Sequence, residues 1–207
     1  IAVGSRGWSD QRERLLELTE RLVRVARTKR TVQLRLDALI DGADPEGFLS
    51  ELGRALADAR SGVDEDSYFV RINRATAWLQ LGVERERAEA DLEWVLARAP
   101  AEVTEGNRAT ISGALLNLAL LYRHANRYDE ACRVLEEAHV KRDEDDPEFL
   151  CALAETMATS GRTDAAFARL KTEQDRYIGN PRYRAEVLML AARAGRESDS
   201  LARQVAG

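Results

Sequence analysis

Residues 112–143, SGALLNLALLYRHANRYDEACRVLEEAHVKRD, decide the fold. They contain Leu115-x-x-Leu118-Ala119-x-x-Tyr122, followed by Tyr128-Asp129-Glu130-Ala131-x-x-x-Leu135. Residues 147–178 restate the pattern as Leu150-x-x-Leu153-Ala154-x-x-Met157, then Thr163-Asp164-Ala165-Ala166-x-x-x-Leu170. Ala131 and Ala166 lie 35 positions apart, and Gly161 and Gly195 lie 34 apart. A weaker copy upstream holds Ala75-x-x-Trp78, Gly82, Ala88-x-x-x-Leu92 and Pro100. Such a period marks a supersecondary unit that buries its apolar face only by stacking on its neighbours.

Each copy reads as two helices. Large apolar residues at i, i+3 and i+7 with a small one at i+4 put Leu115, Leu118, Ala119 and Tyr122 on one helical stripe. Ala119, Ala131 and Ala154 are expected at helix crossings, where a larger side chain would hold the backbones apart. Asn126 and Gly161 end the first helices, as residues that tolerate a left-handed C-cap. Asp129 and Asp164 open the second helices against the positive end of the dipole. Pro147 and Pro181 fit the first turn of the following unit, where a missing N–H costs nothing.

The pattern resembles the tetratricopeptide repeat, a helix-turn-helix unit of about 34 residues. The resemblance covers roughly residues 67–207 and is most specific at 112–143. It implies an all-α chain, an α-solenoid of antiparallel helical hairpins, with nine or ten helices in all. Residues 181–206 read as a shortened capping hairpin, with Leu188, Leu190 and Leu201 as apolar anchors and Arg193, Arg196, Glu197 and Arg203 facing water.

Two departures stand out upstream. Arg71 and Arg74 occupy the positions where the later copies have leucine. Either that helix is rotated or the guanidiniums meet acidic partners, with Asp64-Glu65-Asp66 just ahead of them. The interval from Ala88 to Ala131 is 43 positions, so Ala101–Thr110 is expected as a longer loop or a helix extension.

Residues 1–43 do not repeat. Leu15, Leu18, Leu22, Val25, Val32, Leu36 and Leu39 keep heptad spacing, with Lys29 in the polar slot. This predicts an amphipathic helix of about 30 residues, with poor helix formers at Thr28–Thr31 as the point of a break. The seam serves either self-association, or coupling to a leading domain, or packing on the first hairpin. Residues 1–40 carry nine basic and five acidic side chains, a net of +4, against −9 for the rest. Residues 44–66 form a helix begun by Asp44-Pro45-Glu46 and a linker at Ser61–Asp66.

Composition narrows the chemistry. A net charge of −5 disfavours a general nucleic-acid binder. Only 4 prolines and 13 glycines argue against short-strand architectures. Two cysteines are too few for a disulfide scaffold and suit a reducing compartment. The opening IAVGSRGWSD lacks the charged and apolar regions of a secretory signal, and no apolar run is long enough to span a bilayer. The ratio of 28 Arg to 3 Lys points to a GC-rich genome, and a cytoplasmic, bacterial protein is expected. The missing initiator Met raises the prospect of a longer parent protein.

His124 and His139 belong to no recognisable triad. Cys132, His139, Cys151 and His124 lack the spacing of a zinc site, and Asp143–Asp146 lacks an EF-hand loop. No phosphate-binding glycine motif is present. Neither cofactor nor metal is expected, and the chain reads as non-catalytic.

The resemblance implies instead that first-helix residues turned off the core stripe line a concave groove for a peptide or helix. In this chain they are Phe69, Ile72 and Leu79, then Leu116, Leu120, Arg123 and His124, then Glu155, then Met189 and Arg193. Asn73 and Asn117 match asparagine slots of a carboxylate clamp, but Leu116 and Leu120 stand where that clamp needs polar groups. The expected partner is therefore a protein or peptide, not nucleic acid or membrane. A regulatory or oligomerisation arm of a larger effector, or a receptor for a peptide or small ligand, are the alternatives.

Overall fold

In the computed structural model, residues 4–98, 105–142, 147–195 and 199–206 are described. Asp143–Asp146, Ala101–Thr104, and Arg196 and Glu197 fall outside them. The chain divides into two compact units, residues 1–99 and 100–207. Among the described residues there is no strand.

Unit 1 contains α1 (Gly4–Val25), α2 (Lys29–Asp41), α3 (Pro45–Ala57), α4 (Tyr68–Leu81) and α5 (Arg85–Arg98), each packed on the next. The expected N-terminal helix is thus two helices. The break falls at residues 26–28, where Thr28 caps α2 through a reciprocal hydrogen-bonded box with Thr31. Arg27 reaches across to Glu51 at 3.2 Å and Asp58 at 3.0 Å, tying the break to α3. The heptad stripe divides accordingly. Val32, Leu36 and Leu39 are buried with Phe48, Leu52 and Val70, whereas Leu15, Leu18, Leu22 and Val25 stay exposed. On α1 the buried side is instead Thr19 and Val23, with Leu16 packing on the core. Asp44 caps α3 with its carboxylate on the Gly47 N–H, and Pro45 occupies the first turn.

Unit 2 contains α6 (Glu105–His124), α7 (Tyr128–Arg142), α8 (Glu148–Thr159), α9 (Thr163–Thr172), the one-turn α10 (Gln174–Tyr177), α11 (Pro181–Ala194) and α12 (Ser200–Ala206). From Glu105 onward the long interval before the second copy is an extension of α6. The twelve helices among the described residues exceed the expected nine or ten because α1 and α2 separate and α10 follows α9. In this unit α7 packs on both α6 and α8, and α9 on both α8 and α11. Ala119, Ala131 and Ala154 are all buried. Their small side chains let the helices approach closely. Asn126, Gly161 and Gly195 close the first helices with φ of 59°, 84° and 63°. Gly makes that left-handed turn without a Cβ penalty, and Asn tolerates it better than most residues.

In the capping hairpin Leu190 and Leu201 are buried, but Leu188 is 39% exposed and lies outside the core cluster they belong to. Leu188 takes the position held by Ala119 and Ala154 in the preceding copies, and at α11 that side meets solvent. No described helix is long and apolar enough to cross a membrane.

Candidate functional site

The left-handed caps set the register of the first helices without reference to side chains. Counting back from Asn126, Gly161 and Gly195 places Leu120, Glu155 and Met189 at one position, and His124, Thr159 and Arg193 at another. These helices, α6, α8 and α11, form one layer of unit 2, because α8 packs beside both of the others.

Charge crosses this layer in two places. The Arg123 guanidinium on α6 donates to both carboxylate oxygens of Glu155 on α8, at 3.0 and 3.1 Å. Arg182 at the start of α11 donates to Glu148 at the start of α8, at 3.2 Å. Such fork-to-carboxylate contacts fix orientation more than they add stability at a partly exposed site. Around them Leu116 and Leu120 are half-buried, Met189 is 39% exposed, and His124 and Arg193 are exposed. Unit 2 therefore offers a mixed surface of aliphatic side chains and paired charges.

One residue of this layer escapes the sequence reading. Glu186 lies at the position of Asn117 and Ala152 when counted from the caps. Its Oε1 is buried and has no hydrogen-bond partner among the described residues. Burial, reinforced by the Glu155 carboxylate, raises its pKa to about 7 against the attraction of Arg193, Arg182 and Arg123. The available signal was the 34-residue interval from Gly161 to Gly195, which carries the frame into α11.

The unit 1 residues fare differently. Phe69 and Ile72 are half-buried, and Phe69 packs against the core that α2 and α3 build. Leu79 is only 6% exposed, which removes it from the groove residues. It lies in the last turn of α4, where the side expected to be open is covered. A pocket of about 40 Å³ lies between the α2–α3 junction and α4, lined by Leu39, Phe48, Asn73, Thr76 and Gln80 among others.

Arg71 and Arg74 do meet acidic partners. Arg71 bonds Asp66, and Arg74 bonds Glu65 at 2.8 Å, as the upstream acidic run foretold. Both also converge on Asp91 of α5, with contacts of 2.7 to 2.9 Å. Asp91 is 3% exposed, so this carboxylate is a buried structural anion.

The remaining chemistry-bearing side chains are dispersed. Cys132 and Cys151 are thiols outside any disulfide. Cys132 accepts from Arg162 at 3.3 Å, and burial pushes its pKa up, away from a reactive thiolate. His139 is buried 3.5 Å from Glu173. Among the described residues no group of three or more His, Cys, Asp or Glu is placed to hold a metal ion.

Residues 112–156 match the family model described as Tetratricopeptide repeat. The chain carries a tetratricopeptide repeat. The match begins within α6, just ahead of Leu115, and ends within α8, so it contains most of α6, all of α7 and most of the helix stacked on them. Solved structures extend the repeat architecture over most of the chain. A point mutant of MamA is 17% identical, covering 86% of this chain and 95% of that one, with a TM-score of 0.53. MamA MSR-1 C2 is 16% identical over 86% and 94%, with a TM-score of 0.54. TTC0263, a thermophilic TPR protein in Thermus thermophilus, is 18% identical over 92% and 96%, with a TM-score of 0.53. At these identities the likeness is one of fold. No curated protein matches the sequence.

Proposed function

We propose that the chain is a non-catalytic protein-interaction module that takes a peptide or helix on the α6–α8–α11 face of unit 2. The observation that carries this reading is the layer itself. Leu116, Leu120 and Met189 stand beside the Arg123–Glu155 pair on three adjacent first helices. Aliphatic side chains left outside a core that is otherwise filled with Leu118, Ala119, Leu121 and Tyr122 favour an external partner. A few such anchors carry most of an interface's energy, with oriented charges acting on approach and register. Leu116 and Leu120 are the anchors, and Arg123, His124, Glu155 and Arg193 are the orienting groups. Within unit 1, Phe69 and Ile72 offer apolar surface only as far as the α2–α3 core leaves them open.

Selection of a randomised peptide library on the immobilised protein tests the reading. Wild type is expected to select a consensus, and the folded Leu116→Asp, Leu120→Asp double variant is expected to lose it. Retention of the consensus by the double variant would move the binding surface elsewhere.

The exposed stripe of Leu15, Leu18, Leu22 and Val25 favours a second reading, an oligomerisation arm in which two copies pair through α1. Sedimentation of wild type against a Leu18→Glu, Leu22→Glu variant checks it. A wild type that is already monomeric at high concentration sinks the idea.

A further inference from the structure

Counted from the left-handed caps, one position of the first helices holds Asn73, Asn117, Ala152 and Glu186 in turn. Only the last is ionisable, and its surroundings do not answer its charge. Its Oε1 is buried without a donor. The cations within electrostatic reach are Arg123, Arg182 and Arg193, and none forms an ion pair with it. Arg123 is held by both oxygens of Glu155, and Arg182 is held by Glu148. Arg193 is exposed at the far end of α11. The nearest carboxylate, Glu155, adds repulsion.

A buried acceptor lacking a donor is unfavourable, and a second carboxylate nearby makes it more so. A neutral donor would satisfy the hydrogen bond and leave the repulsion. A cation answers both. Glu186 as a whole is only half-buried, so one side of the residue opens to solvent. The compensating charge can therefore come from that side.

Building on the groove reading above, we propose that Glu186 is the specificity residue of the unit 2 face. It receives the ammonium or guanidinium of a lysine or arginine in the bound peptide. Leu116 and Leu120 then supply apolar contact, and Glu186 with Glu155 selects the basic residue. The shift of Glu186 to about 7 agrees with a site whose charged form awaits a partner cation.

The randomised library, panned at about pH 8 against wild type and Glu186→Gln, tests the assignment. Wild type is expected to enrich Lys or Arg at one position. Glu186→Gln preserves shape and removes charge, so it should select peptides without that preference. A synthetic copy of the wild-type consensus should bind it at least about tenfold more weakly by fluorescence polarisation. Equal basic enrichment in both proteins, or a consensus with no basic position, overturns the assignment of Glu186 and leaves the groove reading standing. A library that yields no consensus on wild type overturns both. Thermal unfolding of Glu186→Gln shows that any loss is not a loss of fold.

Discussion

The α4–α5 and α6–α7 hairpins build the same crossing from opposite materials. In α6–α7 the stripe positions are Leu118, which is buried, and Leu115 and Val134, which are half-buried, around the buried Ala119 and Ala131. In α4–α5 the corresponding residues are Arg71, Arg74 and Asp91, around the equally buried Ala75 and Ala88. There the two guanidiniums clasp one buried carboxylate and lie over aromatic rings, Arg71 at 4.4 Å from Trp94 and Arg74 at 5.2 Å from Trp78. The planar fork both pairs and stacks, so it fills volume as leucine does while its charge is answered. The repeat thus demands small residues at the crossing and a filled, electrically satisfied stripe. It does not demand that the stripe be aliphatic.

The largest effect should come from breaking the charged version. Asp91→Ala leaves Arg71 and Arg74 facing each other without their shared anion, and is expected to cost about 3–5 kcal/mol. Denaturant unfolding measures it, and a loss under about 1 kcal/mol would mean the arginines relax outward to Glu65 and Asp66. Converting the site to the other version is the sharper test. Arg71→Leu, Arg74→Leu, Asp91→Val together should leave stability unchanged or raise it by about 1–4 kcal/mol, since apolar groups of similar size carry no desolvation cost. A large loss from that triple variant would show that the two hairpins are not interchangeable.

The shared element predicts a shared penalty. Ala119→Leu and Ala75→Leu should each overpack their crossing by roughly 1–3 kcal/mol. Thermal unfolding of the two variants checks whether charge and aliphatic packing tolerate expansion equally.

The smallest effect concerns Glu186, the acid that no cation answers. Its pKa of about 7 lies above the ordinary 4.5. The folded protein therefore binds that proton more tightly than the unfolded chain does. The stability contributed by the protonated group is complete below about pH 4.5 and is lost as pH rises through about 7. Glu186→Gln removes this dependence. It should be stabilising by about 1 kcal/mol near pH 8, after allowance for the half-open side chain, and neutral near pH 4.5. Paired denaturant titrations at the two pH values provide the reading, and a pH-independent difference would contradict it.

Much of this architecture was legible in the chain. The interval of 34 to 35 residues, the alanines of the crossings, the Asn126 and Gly161 caps and the Asp44-Pro45 helix start are local or periodic signals. The two arginines in leucine slots called for either a rotated helix or acidic partners, and Glu65 and Asp66 stood just ahead of them. Asp91 was not legible as the third member, because an aspartate on an otherwise charged helix reads as a surface residue. Only the approach of α5 to α4 turns it inward. Of the residues expected to line a groove, Leu116, Leu120, Arg123 and Glu155 lie on one layer of helices in unit 2, whereas Leu79 is buried. The Arg123–Glu155 contact was invisible because it joins residues on different repeats whose side chains each look solvated alone.

The sequence by itself determined the helical hairpins of the repeated segment, the caps that close their first helices, and which small residues sit at their crossings. Those properties follow from side-chain size, capping chemistry and the 3.6-residue period, all of which act over a few residues. Tertiary structure alone decided which half of the N-terminal heptad stripe is buried, that Leu188 opens to solvent, and that Glu186 forms no ion pair among the described residues. Burial and charge compensation are sums over neighbours brought together from distant parts of the chain, and no local pattern records them.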